Sequence, residues 1–169
     1  LEDCINSDLA NNYGNLCQRV TTFALKNCNG KIPKDIKFIK EDLKILDNYK
    51  LNLSKIRSKI DTLDINFYVE FIIKSLFDAN KYFNDQEPWK KKNDKERLNT
   101  IIYTSLEIIR KISFMLYPII PESSLKALKI FDINEDAIIF SSLENHNYLK
   151  SNNKINQIDI LFKKVDKQS

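Results

Sequence analysis

Only two glycines, Gly14 and Gly30, and four prolines interrupt the 169 residues of this chain. Folds made of many short strands need tight reversals, and tight reversals draw on glycine and proline. So few of either directs the chain toward long helices joined by few connections. A hydrophobic fraction of 43% suffices for a core, which sets aside a disordered chain. The length fits one domain with a terminal extension.

Apolar periodicity places the helices. Ile5, Leu9, Tyr13, Leu16, Val20, Phe23 and Ala24 recur at helical spacing and predict an amphipathic helix over 3–27. Asn29-Gly30 terminates it, and Pro33 delays the next start. A second helix is expected over 35–60 from Ile39, Leu43, Leu46, Leu53, Ile56 and Ile60. Asp64 is placed to cap a third, with Phe67, Phe71, Ile72, Leu76, Phe77 and Ala79 inward. Its apolar content predicts a place near the bundle centre. After the polar stretch NDQEPW, Asn93 or Asp94 caps a fourth helix over 95–117. Its inner face is Leu98, Ile101, Ile102, Leu106, Ile109, Ile112 and Leu116. Pro118 and Pro121 end it, and a short fifth helix follows in ESSLKALKIF. Beyond Asp132 the period fades. The expected fold is therefore all-α, a helical bundle of about five helices over 1–131 with an irregular C-terminal tail over 132–169.

No convergent catalytic set is legible. Two isolated glycines cannot form a phosphate-cradling loop, and no serine sits in a GxSxG turn. The sole histidine, His146, lies in the tail and reads as a solvated side chain. Glu41-Asp42 and Glu135-Asp136 are sequence neighbours, so on a helix they point roughly 100 degrees apart. They read as solvated or helix-start charges. Cys4, Cys17 and Cys28 are odd in number and lack CxxC spacing, so no metal site is expected and the thiols are read as reduced. No apolar run approaches a membrane span, and the polar start is unlike a signal peptide. The chain opens without methionine, in what reads as mid-helix, and is expected to be a piece of something longer. The expected activity is binding.

Two stretches carry more than packing requires. In DLANNYGNLCQR, Asn15 and Arg19 are four apart and share a helical face. An amide with donor and acceptor, above a rigid fork of donors, matches the edge of an unpaired base. Gly14 beside them is expected to leave room for a ligand. Ordinary surface helices also carry such pairs. In EPWKKK, the only tryptophan, Trp89, follows Pro88 and leads into Lys90, Lys91 and Lys92, with Lys95 and Arg97 close behind. An aromatic platform with a positive rim is how single-stranded nucleic acid is held. A ring plugged into the core beside a solvated lysine run fits the same residues. The net charge of +4 is compatible with an RNA partner without requiring one.

Taken together, INSDLANNYGNLCQR, YVEFIIKSLFDANKYFNDQEPW and ISFMLYPIIPESSLKAL make the chain resemble the C-terminal anticodon-binding domain of methionyl-tRNA synthetases. The closing IDILFKKVD is similar to the family's LFPRI-like segment, with Lys163 and Lys164 where proline and arginine are usual. The resemblance implies a class I synthetase anticodon-binding bundle that reads the CAU triplet of methionine tRNA. It implies that Trp89 stacks on anticodon bases and that Asn15 and Arg19 contact base edges. Lys90, Lys91, Lys92, Lys95 and Arg97 are the candidate phosphate contacts. The family's ATP and methionine motifs, of HIGH and KMSKS type, are absent, as are its zinc-insertion cysteines. No cofactor is therefore expected in this chain, while the whole ligase would use ATP with magnesium, and zinc in its insertion. The implied partners are tRNA and the catalytic domain of the same chain, in a cytoplasmic, monomeric enzyme without a membrane. Two other readings stay open: the anticodon domain of the isoleucine, leucine, valine or cysteine synthetases, and a helical protein-interaction module with no RNA partner.

Overall fold

A computed structural model of the chain describes residues 2–61 and 65–157. Five α-helices follow in order: α1 Glu2–Asn27, α2 Lys40–Asp61, α3 Ile65–Gln86, α4 Lys95–Leu116 and α5 Pro121–Leu128. Short 3-10 turns occupy Pro88–Lys90 and, after α5, Lys129–Phe131, Glu135–Ala137 and Phe140–Glu144. The architecture is the all-α bundle that the periodicity predicts.

The helix at the centre is α4 rather than α3. From Thr100 to Leu116 every residue of α4 is buried, because α1, α2, α3, α5 and the 3-10 turn Phe140–Glu144 all pack on it. The α3 helix is two-faced instead. Tyr68, Ile72, Leu76, Ala79, Tyr82 and Phe83 are buried, while Phe77 points outward with 67% of its surface exposed. Phe67 and Phe71 are half-buried. The apolar count of α3 overstated its burial, since Phe77 lies off the Ile72–Leu76–Ala79 stripe.

α1 stops where Asn29 and Gly30 both take positive φ, 53° and 70°. The reversed chain is then stitched to the C-terminal segment: Ile32 N–H donates to Asn153 O, Asn152 N–H to Ile32 O and Ile155 N–H to Gly30 O. α2 begins five residues later than the periodicity predicts. Asp35 adopts φ 59°, and Lys37 N–H donates at 3.0 Å to Thr100 Oγ1. Lys37 thus satisfies its backbone N–H on α4, and Asp35 in the left-handed region does not continue a helix. Asp42 Oδ2 then accepts from Ile39 N–H at 2.9 Å, which holds the real start. Ile39 and Leu43 are consequently exposed, whereas Leu46 is fully buried. Cys4, Ile5, Leu53, Ile56, Ile60 and the expected cap Asp64 have side chains outside the described residues, as does the whole of 158–169.

The α4 start agrees with expectation. Asp94 is its N-cap, accepting from Arg97 N–H, and Pro121 opens α5. The segment after Asp132 lacks periodicity because polar groups hold it. Arg110 of α4 donates to Ser142 O at 3.0 Å and Asn145 O at 2.6 Å. Lys111 donates to Asn145 O at 3.0 Å, and Glu107 accepts from Leu149 N–H at 2.9 Å while pairing with Arg110 at 2.8 Å. Leu143, Leu149 and Ile155 of this segment are buried. His146 belongs to it too, only 13% exposed and 2.9 Å from Asp47. It is thus no solvated side chain. Burial, against the Asp47 contact, keeps its pKa below the ordinary value.

Candidate nucleic-acid interface

Arg19, on the exposed face of α1, is the hinge of the site. Its guanidinium donates to Asn84 Oδ1 of α3 and lies 4.9 Å from the centre of the Phe83 ring. A cation over an aromatic face is attracted by the ring's quadrupole. Trp89 comes from the 3-10 turn Pro88–Lys90, which is entered through Glu87 at φ 48°. That left-handed residue breaks the run of α3, and buried Pro88 fixes the new direction. The indole then packs edge-on against Phe83, centroids 6.0 Å apart, and Phe83 packs edge-on against Phe23 of α1 at 5.7 Å.

The plug and platform readings of Trp89 are separable at this point. The ring leans on the bundle, yet 41% of it stays exposed. It is a shelf on the surface, not a core side chain. Asn15 is exposed one turn before Arg19, and with Gln18, Thr22, Phe23 and Lys26 these residues border an open groove of about 400 Å³. Gly14, in contrast, is buried. It therefore opens no room for a ligand on the exposed face.

The candidate phosphate residues separate into two groups. Lys90, Lys92 and Lys95 are exposed and Lys91 is half-buried, with Lys90 paired to Glu87 at 2.6 Å. Lys95 stands close enough to Cys28 to offset part of the burial that pushes that thiol up to about 11. Arg97 is turned away from this rim. Its fork donates to both oxygens of Asp42, at 2.8 and 3.0 Å, and to Gln86 Oε1 at 2.6 Å. Of the two readings of Asp42, helix-start charge and solvated charge, the first agrees with its place in the opening turn of α2 and the second does not, since it is wholly buried. Burial pushes its carboxyl up, but the Arg97 fork, Ile39 N–H and the Tyr82 hydroxyl outweigh that and hold its pKa below the ordinary value.

Sequence reasoning missed Phe83, Asn84 and Lys26. Lys26 was legible as the continuation of the stripe Asn15, Arg19, Thr22 on α1. Asn84 carried no local signal, because its partner is 65 residues away. Cys17 is buried, and burial pushes its thiol well up, away from reactivity. Among the described residues no cluster of histidine, cysteine, aspartate or glutamate could hold a metal ion, and no helix is long and apolar enough to cross a membrane.

A family described as the anticodon binding domain of methionyl tRNA ligase matches residues 32–169. The chain belongs to this family. Relatives of the methionyl ligase anticodon domain include a methionine–tRNA ligase of Brucella suis, 36% identical over 139 residues, covering 82% of this chain and 27% of the relative. One from Rickettsia felis is 34% identical over 171 residues, covering 96% of this chain and 32% of its own length. The free-state crystal structure of Mycobacterium tuberculosis methionyl-tRNA synthetase superposes with a TM-score of 0.86 at 29% identity, over 96% of this chain and 33% of that one. Its complex with methionyl-adenylate gives 0.84 at the same 29% identity, over 94% and 32%. The chain thus spans about a third or less of the proteins it is similar to.

Proposed function

We propose that this chain is the anticodon-recognising part of a methionine–tRNA ligase, and that it reads the CAU triplet of methionine tRNA. Family membership supports the assignment. The observation that carries the mechanism is the half-exposed Trp89 ring beside Arg19 and Asn84. On this reading an unpaired base stacks on Trp89, which completes the burial of the indole. Asn15 and Arg19 meet base edges, and Lys90, Lys91, Lys92 and Lys95, joined by Lys26, draw in phosphates. Arg97 takes no part in this rim, because its fork is committed to Asp42.

The ligase reaction, with ATP and magnesium, belongs on the same reading to a catalytic domain that shares the chain and is the partner of this bundle. We place the enzyme in the cytoplasm as a monomer. The segment 132–169 is read as a tail packed on the bundle 1–131 or on that catalytic domain.

The test is Trp89 fluorescence during titration with a CAU anticodon stem-loop, with changed-anticodon loops as controls. As Trp89 is the only tryptophan, its signal has one origin. Quenching by CAU alone is expected. Identical responses to all loops, or none to any, would overturn the assignment.

A further inference from the structure

Trp89 sits in the connection 87–94, between the end of α3 at Gln86 and the start of α4 at Lys95. The backbone bonds of this connection are short-range. Lys90 N–H donates to Glu87 O, Lys91 N–H to Pro88 O and Asp94 N–H to Lys91 O. They shape the turn, but none of the three joins its entrance to its exit. A side chain does that: Gln86 Oε1, on the last residue of α3, accepts from Arg97 Nη2 of α4 at 2.6 Å.

The α4 end of this tie is anchored. Arg97 grips both oxygens of Asp42 with its fork, at 2.8 and 3.0 Å, and its backbone N–H donates to Asp94. Asp42 is wholly buried and also accepts from the Tyr82 hydroxyl of α3. A bidentate, charge-assisted pair has a defined geometry, so the guanidinium is a fixed point against which Gln86 is set. Arginine offers donors only, which obliges the Gln86 amide to turn its oxygen toward it. The other end of the tie is strained. Glu87, the next residue, takes φ 48° and ψ 58°, although it is not glycine and precedes a proline. Such a backbone persists only where its surroundings over-determine it. Buried Pro88 constrains Glu87 from one side, and the Gln86–Arg97 bond constrains it from the other. Any slack in Glu87 passes through Pro88 to the indole. We propose that Gln86 is a positioning residue for recognition: bonded to Arg97, it fixes the entrance of the turn and keeps the Trp89 ring set against Phe83, ready for its ligand. The proposal rests on the anticodon-binding reading.

Gln86→Met separates this role from stability. It removes the acceptor and keeps a side chain of similar length, while Asp42 retains both Arg97 and Tyr82, so the bundle should stay folded, as circular dichroism checks. The decay of Trp89 fluorescence anisotropy in the free chain reads the indole alone, since it is the only tryptophan. Gln86→Met is expected to add a fast depolarising motion. Gln86→Glu, whose carboxylate still accepts from Arg97, is expected to restore the original decay. Affinity of Gln86→Met for the CAU stem-loop should fall about fivefold, and that loss should vanish in a Trp89→Ala background. An equal loss in both backgrounds would mean that Gln86 acts other than through Trp89, and overturns the proposal. An indole as still in Gln86→Met as in the original chain overturns it too. Undiminished affinity of Gln86→Met for the loop overturns it and leaves the anticodon reading standing. If the original chain binds no loop, the anticodon reading falls and the proposal falls with it.

Discussion

The guanidinium of Arg19 lies 5.9 Å from the centre of the Trp89 ring. One comes from the first helix and the other from the turn before the fourth, and Phe83 of α3 sits against both. Three distant parts of the chain thus assemble one surface in which charge, amide and open aromatic face meet. Neither α1 nor the EPW turn could form it alone.

Trp89→Ala removes the shelf. Stacking on one aromatic is worth about 1–3 kcal/mol, so affinity for the CAU stem-loop should fall at least about fivefold. Trp89→Phe should recover most of it, because a smaller ring still offers a face. Fluorescence anisotropy of a labelled stem-loop measures both. Equal losses for the two variants would show that the indole acts other than by stacking.

Arg19→Lys keeps the charge and discards the planar fork that spans Asn84 and Phe83. Discrimination between CAU and altered triplets should shrink by about 1–3 kcal/mol, with the salt dependence of binding little changed. Affinities for a series of anticodon loops at several salt concentrations check this. A uniform loss over all loops, with discrimination intact, would mark Arg19 as a phosphate contact only.

Arg97 should behave as a stabilising residue and the lysines as binding residues. Arg97→Ala leaves Asp42 buried without its cation, at a cost of about 3 kcal/mol by urea denaturation, and leaves the salt slope of RNA binding unchanged. Lys91→Gln with Lys92→Gln should leave stability intact and lower that slope by about two. Asp42 has a depressed pKa in the fold. Its contribution is therefore full above the ordinary carboxylate pKa and is lost as pH falls through the lower folded value. Arg97→Ala should flatten the acid limb of stability against pH.

Lys111 gives the opposite limb. Burial, with Arg110 beside it, lowers its pKa to about 7. Between pH 7 and the ordinary lysine range the unfolded chain holds a proton that the fold has released, so stability should rise with pH. The slope cannot exceed about 1.4 kcal/mol per pH unit for one proton. The clean window closes at about pH 8, above which the thiols of Cys17 and Cys28, raised by burial, begin to act the other way, joined at higher pH by buried tyrosines such as Tyr49 and Tyr68. Thermal melts of the chain and of Lys111→Met across that window compare the slopes. A variant as pH-dependent as the parent sequence would refute the assignment.

Much of the architecture was readable because it depends on local pattern. The end of α1, the Asp94 cap and the proline at the start of α5 are decided within a few residues. Some of the misreadings come from charged groups whose partners are remote. Glu107, Arg110 and Lys111, which the sequence reading did not single out, are wholly buried; Arg110 and Lys111 hold the tail by its carbonyls and Glu107 holds it by the Leu149 N–H. Asp42 and Arg97 look like surface charges and are 55 residues apart in the chain but paired in the fold. At the candidate site, Asn15, Arg19 and Trp89 were singled out by residue type and spacing. Asn84 and Phe83 become visible only once α1 and α3 are side by side.

The turn that carries Trp89 is fixed at both ends: Glu87 reverses the backbone, Pro88 is buried, and Asp94 starts α4 four residues after Lys90. The indole is therefore preorganised, and little of the protein has to freeze when a ligand arrives. On the RNA-binding reading, the conformational work of encounter falls on the RNA loop, which must unstack its bases. Association should then be limited by unstacking of the RNA loop and not by closure of the protein, and differences among anticodons should appear chiefly in how fast each complex comes apart.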